Sequence, residues 1–422
     1  MGTFYVNDTS GNDGTGTEDN PALPYKTIGG ALADANTSGD IVEIIDEQTY
    51  VNSDPLTFAA SNVTLRHTAS ELGRPVIDGT GLGTDEHMFI ATGRTEIKLE
   101  GIEVTGPDTP PSTGNHMFDI DAGSGGAGSE GFEITDCFIH GFPALADGIF
   151  NGTQAKPVKL TRSAFMFSEG TIESVRSGNN KYLVVENCFL SRSSGVNPSY
   201  SILKSFGGAN TTASFCTFVF RGTVANPINQ APHFVQGFAK VINCVATSSN
   251  ATNIDGFDAL DHSFNVVNGT PAGADAFQDG SGASSSLGTG DTEAQVTFVR
   301  GASIGRTEDV VQNFALVAGS VGVDQGTSFN SVDVDINGTV RPQGGGFDMG
   351  AFELAFSYWN DFDDNQTHQR KWGTGLEIHG TANKLTTRTF PRGTTGRQAP
   401  YFVTIPGVVN LRQRTTAYKN ET

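Results

Sequence analysis

The sequence predicts an all-β protein, a single-stranded right-handed parallel β-helix with a short N-terminal capping helix and a C-terminal β-rich extension. Three observations predict it. One short pattern returns between Phe132 and Val245: Phe132-Glu-Ile-Thr-Asp-Cys-Phe138, Val158-Lys-Leu-Thr-Arg-Ser-Ala164, Leu183-Val-Val-Glu-Asn-Cys-Phe189, Thr211-Thr-Ala-Ser-Phe-Cys-Thr217 and Ala239-Lys-Val-Ile-Asn-Cys-Val245. Each copy places a small residue in one column, Cys137, Ser163, Cys188, Cys216 and Cys244, at steps of 26, 25, 28 and 28 in residue number. The chain of 422 residues has 53 glycines, only 17% charged residues and almost no helical periodicity. Self-similarity at such a period is the mark of a solenoid.

The physical reason is a coil of short strands. Alternation with period two sets Phe132 and Ile134 on one face of a strand. A step of this length is too short for a βαβ unit, which needs roughly 30 residues or more. It fits a turn of three short strands joined by corners rich in Gly, Asn and Ser. Stacked turns bury like on like, and the crossover preference makes the coil right-handed. Two looser copies precede the set, Val63-Thr-Leu65 leading to Thr68 and Ile97-Lys-Leu99 leading to Ile102. In this reading the cysteines form a buried, reduced ladder at the strand spacing of about 4.8 Å. A disulfide framework is the alternative; metal binding is disfavoured because no Cys-x-x-Cys pair or Cys/His cluster accompanies them.

From the start of the chain, residues 3–7 read as a strand and Asn7 to Asn20 as a turn-rich loop. Tyr25 to Ala35 reads as a short amphipathic helix, and Gly39 to Ile45 as the first coil strand. The order of strand, Asp/Gly/Asn/Thr loop, Pro-x-Lys-Thr-Ile helix, Gly-Asp and strand resembles the N-terminal cap of the pectate-lyase-like parallel β-helix superfamily. Arg74-Pro-Val-Ile-Asp-Gly79 resembles a recurrent rung of that group. Asp335-Ile-Asn-Gly-Thr-Val-Arg-Pro342 with Phe347-Asp-Met-Gly-Ala-Phe-Glu353 resembles the closing segment of its secreted bacterial members. The resemblance covers residues 3–354 and implies the fold more specifically than any activity. After Val245 the spacing blurs: residues 270–291 read as one long excursion, and rungs are expected to resume at Ala294 to Val299 and Phe314 to Val317. The expected organisation is 1–39 strand and cap, 40–355 β-helix and 356–422 extension.

Composition changes at the end of the chain. Residues 356–422 hold nine Lys/Arg and five Asp/Glu, a net of +4; this leaves 17 and 41 of the chain's 26 and 46, a net of −24, for the rest. Both tryptophans lie in this extension, and Tyr401 to Ile405 and Val408 to Arg412 read as strands. It is either a cap on the acidic body or a docking segment, in which Trp359, Arg370, Lys371, Trp372, Arg388, Arg392, Arg397, Tyr401, Arg412 and Arg414 are the partner-binding candidates, since Trp, Tyr and Arg dominate interfaces. The overall charge of −20 argues against nucleic-acid binding by the body. No run of 18 apolar residues exists, so no membrane span is expected. Met1-Gly-Thr-Phe-Tyr-Val lacks the basic and apolar regions of a secretory signal, so none is expected.

A catalytic set is hard to assemble. A glycoside hydrolase needs converging carboxylates, and a uronate lyase needs a cation and a base. The hydrolase signatures Asn-Thr-Asp, Gly-His-Gly and Arg-Ile-Lys that the resemblance would imply are absent, as is the lyase Arg-x-Pro-x-x-Arg stretch; Asp363-Asp364 falls in the extension. The remaining groupings are Asp85-Glu-His87 and His116-Met-Phe-Asp-Ile-Asp121, with Asp258, Asp261 and His262 weaker. Alternation puts Asp119 and Asp121 on one face of one strand, so an enzyme would use Asp119, Asp121 and His116; otherwise they are solvent-facing residues beside a Gly-rich corner. Asp8 to Gly14 nearly matches a Ca²⁺ loop but has its Gly one place late and no Glu at the twelfth position, and reads as a turn. Asn151-Gly-Thr and Asn268-Gly-Thr read as turn chemistry.

No cofactor is therefore implied. Because phage appendages reuse this fold, the first expectation is a structural or adhesive virion component (head decoration, fibre or tailspike-like) docked through its extension to capsid or tail proteins, with self-association or a host glycan as further partners. The alternatives are a polysaccharide-binding or polysaccharide-cleaving enzyme with its site on the lateral groove, and a bacterial surface adhesin, which would be extracellular. Fold analogy alone does not choose between them.

Overall fold

The computed structural model describes residues 1–354 except 69–72, 84–85, 108–115, 121–129, 147–149, 169–173, 178–180, 194–200, 207–210, 222–232, 249–254, 269–276, 279–286, 295, 299–313 and 330–332, together with 376–379 and 410–413. The body is a parallel β-helix, each turn contributing a strand to up to three sheets. One full turn runs Val158–Thr161, Ala164–Phe167 and Val175–Ser177, and the next runs Leu183–Glu186, Phe189–Ser193 and Leu203–Ser205, paired strand on strand in parallel register. Among the described residues the second sheet has ten strands, from Thr49–Val51 to Thr292–Glu293.

The repeating column is created by a two-residue corner between the first and second sheets. Its first residue sits in the left-handed region: Asp136, Arg162, Asn187, Phe215, Asn243 and Phe264 all have φ between 44° and 55°. Its second residue is buried: Cys137, Ser163, Cys188, Cys216, Cys244 and Asn265. Asn and Asp tolerate this conformation, whereas Arg and Phe are strained by it and must be held by packing. The four thiols are free. Burial pushes the Cys137 thiol up to about 12 and those of Cys188 and Cys244 well above the ordinary value, which makes these three poor nucleophiles. Ile102 joins it behind Gly101 (φ 69°). Thr68 does not: the strand Thr64–His67 is followed by a long corner before Val76–Asp78, and the exposed Thr68 hydroxyl donates to Glu43 instead.

Apolar columns run the length of the coil. In the first sheet Phe4, Val42, Leu65, Leu99, Ile134, Leu160, Val185, Ala213 and Val241 are in register and buried. In the second, Tyr50, Ile77, Val104, Ile139, Phe165, Leu190, Phe218, Ala246 and Val267 are stacked likewise. Fully burying one such Leu, Val or Phe contributes roughly 1.5–3 kcal/mol, so repetition supplies the stability of the coil.

The N-terminal end is covered as expected. The helix Ile28–Asp34 buries Ile28, Ala31 and Leu32, with Thr27 as its N-cap accepting from Gly30 N. Asp13 braces that cap, its carboxylate accepting from Lys26 N, Thr27 N and the Thr27 hydroxyl at 2.7–2.9 Å. This occupies the loop carboxylate that a Ca²⁺ ion would need, and the Asn12 side chain closes a turn onto Gly14 N. The same loop pairs with the edge of strand Thr3–Val6 through Tyr25 N to Tyr5 O, Asn7 N to Tyr25 O and Asp19 N to Thr3 O.

The later part of the chain departs from expectation in two places. The stretch 270–291 is no simple excursion, because Phe277–Gln278 pairs with Phe257–Asp258 as a further strand and Asp291 extends the corner column. Residues 294–299 and 314–317 are not rungs either. Phe298 and Leu316 form an antiparallel bridge, and with Val296, Phe314, Met349, Ala351 and Phe352 they pack on the outer face of the second sheet against Phe138, Met166, Phe189, Val219, Val245 and Val266. The described residues between 296 and 354 thus make a strap along the side of the coil. Both faces of Ala164–Phe167 are buried in consequence.

The closing segment clasps this strap. Arg341 is buried and donates to Asp348 O, Gly350 O and Glu353 Oε2 at 2.9–3.2 Å, its guanidinium 4.6 Å from the Phe215 ring centre. Asp335 accepts from Asn337 N, Thr339 N and Glu353 N, and Asp348 from Asp324 N and Leu354 N. The corner asparagines hold the strap to the coil: Asn187 Nδ2 donates to Val334 O, and Asn243 exchanges two bonds with Thr327. Gly350 (φ 91°) sits so close to Thr217 and Val245 that a Cβ there would lie 2.8 Å from the Thr217 hydroxyl. In the extension, the strands Leu376–His379 and Asn410–Gln413 pair antiparallel.

Candidate functional site

The third sheet presents a row of polar side chains on successive turns. Alternation buries Val175, Leu203, Val235 and Phe257 and turns Arg176, Lys204 and Gln236 outward, in register on successive turns, and the backbone register continues through positions 258 and 278. Adjacent members are separated by the strand spacing of about 4.8 Å. Arg176, Lys204 and Gln236 are each half-buried. Each side chain is thus partly packed against the sheet, as long polar side chains commonly are, and the Nε of Arg176 is itself buried.

The local supports are specific. Lys204 Nζ lies 4.9 Å from the ring centre of Phe206, which is half-exposed two residues along the same strand direction. Gln236 has its carbonyl oxygen bonded by the Ser201 hydroxyl at 3.3 Å. The buried Arg192 in turn donates to Ser201 O at 3.3 Å. The Ser201 bond occupies the Gln236 carbonyl oxygen. The strands of this sheet are entered through long connections, Ser193 to Leu203 and Arg221 to His233, whereas the corners between the first two sheets have two residues.

One rung group nearer the N-terminus, Asp119 occupies an outward position on Phe118–Asp119, and its Oδ1 accepts from the Thr92 hydroxyl at 2.8 Å. His116 is buried, its ring stacked on that of His87 at 5.3 Å and 19°, and its backbone N–H donates to His87 Nδ1. Burial first, then the neighbouring positive charges of His87 and Arg176, pushes the His116 pKa down to about 3. It is a neutral imidazole at ordinary pH and no proton donor. Asp85 and Asp121 lie outside the described residues.

The grouping of Asp258, Asp261 and His262 separates in space. Asp261 is exposed and pairs with Lys240 at 3.0 Å, while His262 Nδ1 lies 2.5 Å from Asp291 Oδ2. Asp291 also accepts from Asn265 N, Asn265 Nδ2 and Gly288 N, which makes it a structural hub. Among the described residues no group of three or more His, Cys, Asp or Glu could hold a metal ion, and no helix is long and apolar enough to cross a membrane. Of the ten partner-binding candidates in 356–422, Arg412 falls on the backbone strand Asn410–Gln413; the other nine lie outside the described residues.

Sequence reasoning passed over Arg176, Lys204 and Gln236. The signal was present: Val175-Arg-Ser177, Leu203-Lys-Ser205 and Val235-Gln-Gly237 repeat an apolar, polar, small pattern ahead of successive copies of the main repeat. Three residues are too short for alternation to stand out.

No protein-family model matches the sequence, and no curated protein matches it. Among solved structures the chain is similar to pectate lyase Pel9A, at 17% identity over 83% of this chain and 96% of that one, with a TM-score of 0.42. It is also similar to a rhamnogalacturonan lyase, at 13% identity over 76% and 96%, with a TM-score of 0.39. A GH136 lacto-N-biosidase from Eubacterium ramulus follows at 10% identity over 70% and 68%, with a TM-score of 0.36.

Proposed function

We propose that the protein binds an extended polysaccharide bearing carboxylate groups, laid along the outward face of the third sheet parallel to the coil axis. The observation that carries this reading is the in-register row Arg176, Lys204 and Gln236. Two cations on adjacent turns offer charge-assisted bonds to carboxylates, and the amide of Gln236 serves a hydroxyl or acetyl oxygen. The half-exposed ring of Phe206 gives one sugar an apolar face to rest on. A solenoid suits a linear ligand, because its side-chain pattern repeats in one direction as a polymer does. The phage setting expected from the sequence is compatible with it: an appendage could grip an acidic host capsule with the same row.

The test is affinity electrophoresis of the full chain through gels containing polygalacturonate, alginate or a neutral glucan. Retardation is expected in an acidic polymer, weakening with salt. Arg176→Ala with Lys204→Ala should weaken it by roughly tenfold or more, since each charged hydrogen bond contributes about 1.5–3 kcal/mol. Equal retardation of the double variant, or no retardation of the folded wild type in any acidic polymer, would sink the reading.

A further inference from the structure

We propose that the cleft at the first corner of the coil binds a small aliphatic amine as its ammonium ion. The inference stands apart from glycan binding, for the row Arg176, Lys204 and Gln236 lies on other turns.

The cleft exists because this corner is built differently from the later ones. At Cys137, Ser163 and Cys188, two residues link the first sheet to the second, and the inner one fills the corner with a small buried side chain. Here four residues, 45–48, separate Ile41–Ile44 from Thr49–Val51. The longer link leaves a cavity of about 380 Å³, lined in part by Glu43, Ile45, Asp46, Glu47, His67 and Thr68. That size lies within the range of small-ligand sites, roughly 300–1,000 Å³.

The first observation is an unsatisfied ring. His67 is 5% exposed and stands in register with Ile44 on the inward face of its strand. Its Nδ1 lies 2.8 Å from Ile44 O. A carbonyl oxygen only accepts, so Nδ1 carries the proton, and in the neutral ring Nε2 is a lone-pair acceptor. That Nε2 is buried and meets no hydrogen-bond partner. A buried acceptor without a donor is costly. An N–H group entering the cavity that the ring lines would satisfy it.

The second observation is charge. Glu43, Asp46 and Glu47 line the cavity, and no Lys or Arg does. Burial opposes ionisation of Glu43, but bonds from the Thr68 hydroxyl at 2.6 Å and from Arg66 at 2.8 Å outweigh it and lower its pKa. Asp46 accepts from the Tyr50 hydroxyl at 2.7 Å and from Asp8 N at 2.9 Å. These bonds hold both carboxylates in place, and since a carboxylate offers about four lone-pair positions, each can accept another. Ile45, 39% exposed, gives the methylenes of a ligand an apolar wall. A metal ion suits the cleft less well: among the described residues no three His, Cys, Asp or Glu converge as ligands, and Ca²⁺ takes oxygen donors. A cation that donates N–H bonds and carries an aliphatic stem answers the imidazole, the carboxylates and the apolar wall together.

The experiment is isothermal titration of the full chain at pH 8 with 1,4-diaminobutane. The controls are 1,4-butanediol, which has the stem without the charge, and tetramethylammonium, which has the charge without N–H groups. One-site binding of the diamine in the millimolar range is expected, with neither control binding. His67→Phe should weaken it roughly tenfold or more, and the double variant Arg176→Ala with Lys204→Ala should leave it unchanged. No binding of the diamine, equal binding of tetramethylammonium, or unchanged affinity in a folded His67→Phe chain would overturn the proposal. If His67→Phe does not fold, the imidazole nitrogen resonances of His67 in the wild-type chain decide. A shift of the Nε2 resonance on saturation with the diamine supports the site, and an unmoved resonance refutes it.

Discussion

The outer face of the second sheet is two surfaces in one. A single outward column runs Thr49, Val76, Glu103, Phe138, Ala164, Phe189, Thr217, Val245 and Val266 in register. Its early members stand in strands whose outward residues remain at least partly exposed, and Glu103 holds His140 at 2.9 Å. From Phe138 onward the column is buried beneath the strap. The coil backbone is the same in both regions. What differs is the cover, and the side chains follow it: the hydrophobic effect acts on whichever face is removed from water.

The largest effect should come from breaking the clasp. Arg341→Ala leaves Glu353, Asp348 and Asp335 buried without their cation and should cost roughly 3–5 kcal/mol, read as a lower urea midpoint. Retention of the wild-type midpoint would mean the strap contributes nothing to the fold.

Next is the column itself. Phe189→Ala removes a fully buried ring that lies 5.3 Å from Phe314 and should cost about 3–5 kcal/mol. Glu103→Ala, three strands earlier in the same column beyond Phe138 and Ala164, should cost about 1 kcal/mol or less, because its pair with His140 is partly exposed. Equal costs would erase the distinction between the two surfaces.

The clasp should also respond to pH. Burial first, together with the nearby Asp348 charge, raises Glu353 to about 6, and burial raises Asp348 as well. A carboxylate whose folded pKa lies above its unfolded value binds its proton more tightly in the native state. Its contribution to stability therefore grows as pH falls through about 6 towards the unfolded value near 4.5, and it is lost above about 6. Thermal midpoints should rise between pH 7.5 and pH 5, and Glu353→Gln should flatten that part of the profile.

The smallest effect belongs to the open face of the first sheet, where Lys98 and Lys159 flank Glu133 at 3.0 and 3.4 Å. Glu133→Ala should change stability by about 1 kcal/mol at most and less in high salt. A larger loss would show that exposed ladders contribute more here than isolated surface pairs do.

Much of the coil was legible because repetition averages out local ambiguity. The column of Cys137, Ser163, Cys188, Cys216 and Cys244 announced the corner, and its structure supplies the reason: a left-handed residue followed by a small buried one. Thr68 was misplaced because its corner is longer than the others. The third sheet was missed because its strands are short and their spacing varies with the connections that precede them. Arg176 and Lys204 look unremarkable singly, and only register on adjacent turns makes them a row.

By itself the sequence determined the coil, its capping helix, its buried thiol column and the closing segment, since all of these follow from local alternation, turn chemistry and period. Only the tertiary structure decided that the described residues between 296 and 354 run along the side of the coil, that His262 faces Asp291, and that Phe138 and Phe189 point away from the coil's interior yet lie buried. Alternation tells which residues share a face, but a face acquires its solvent or its cover only when distant segments pack, and that choice is made by long-range contacts which leave no period in the chain.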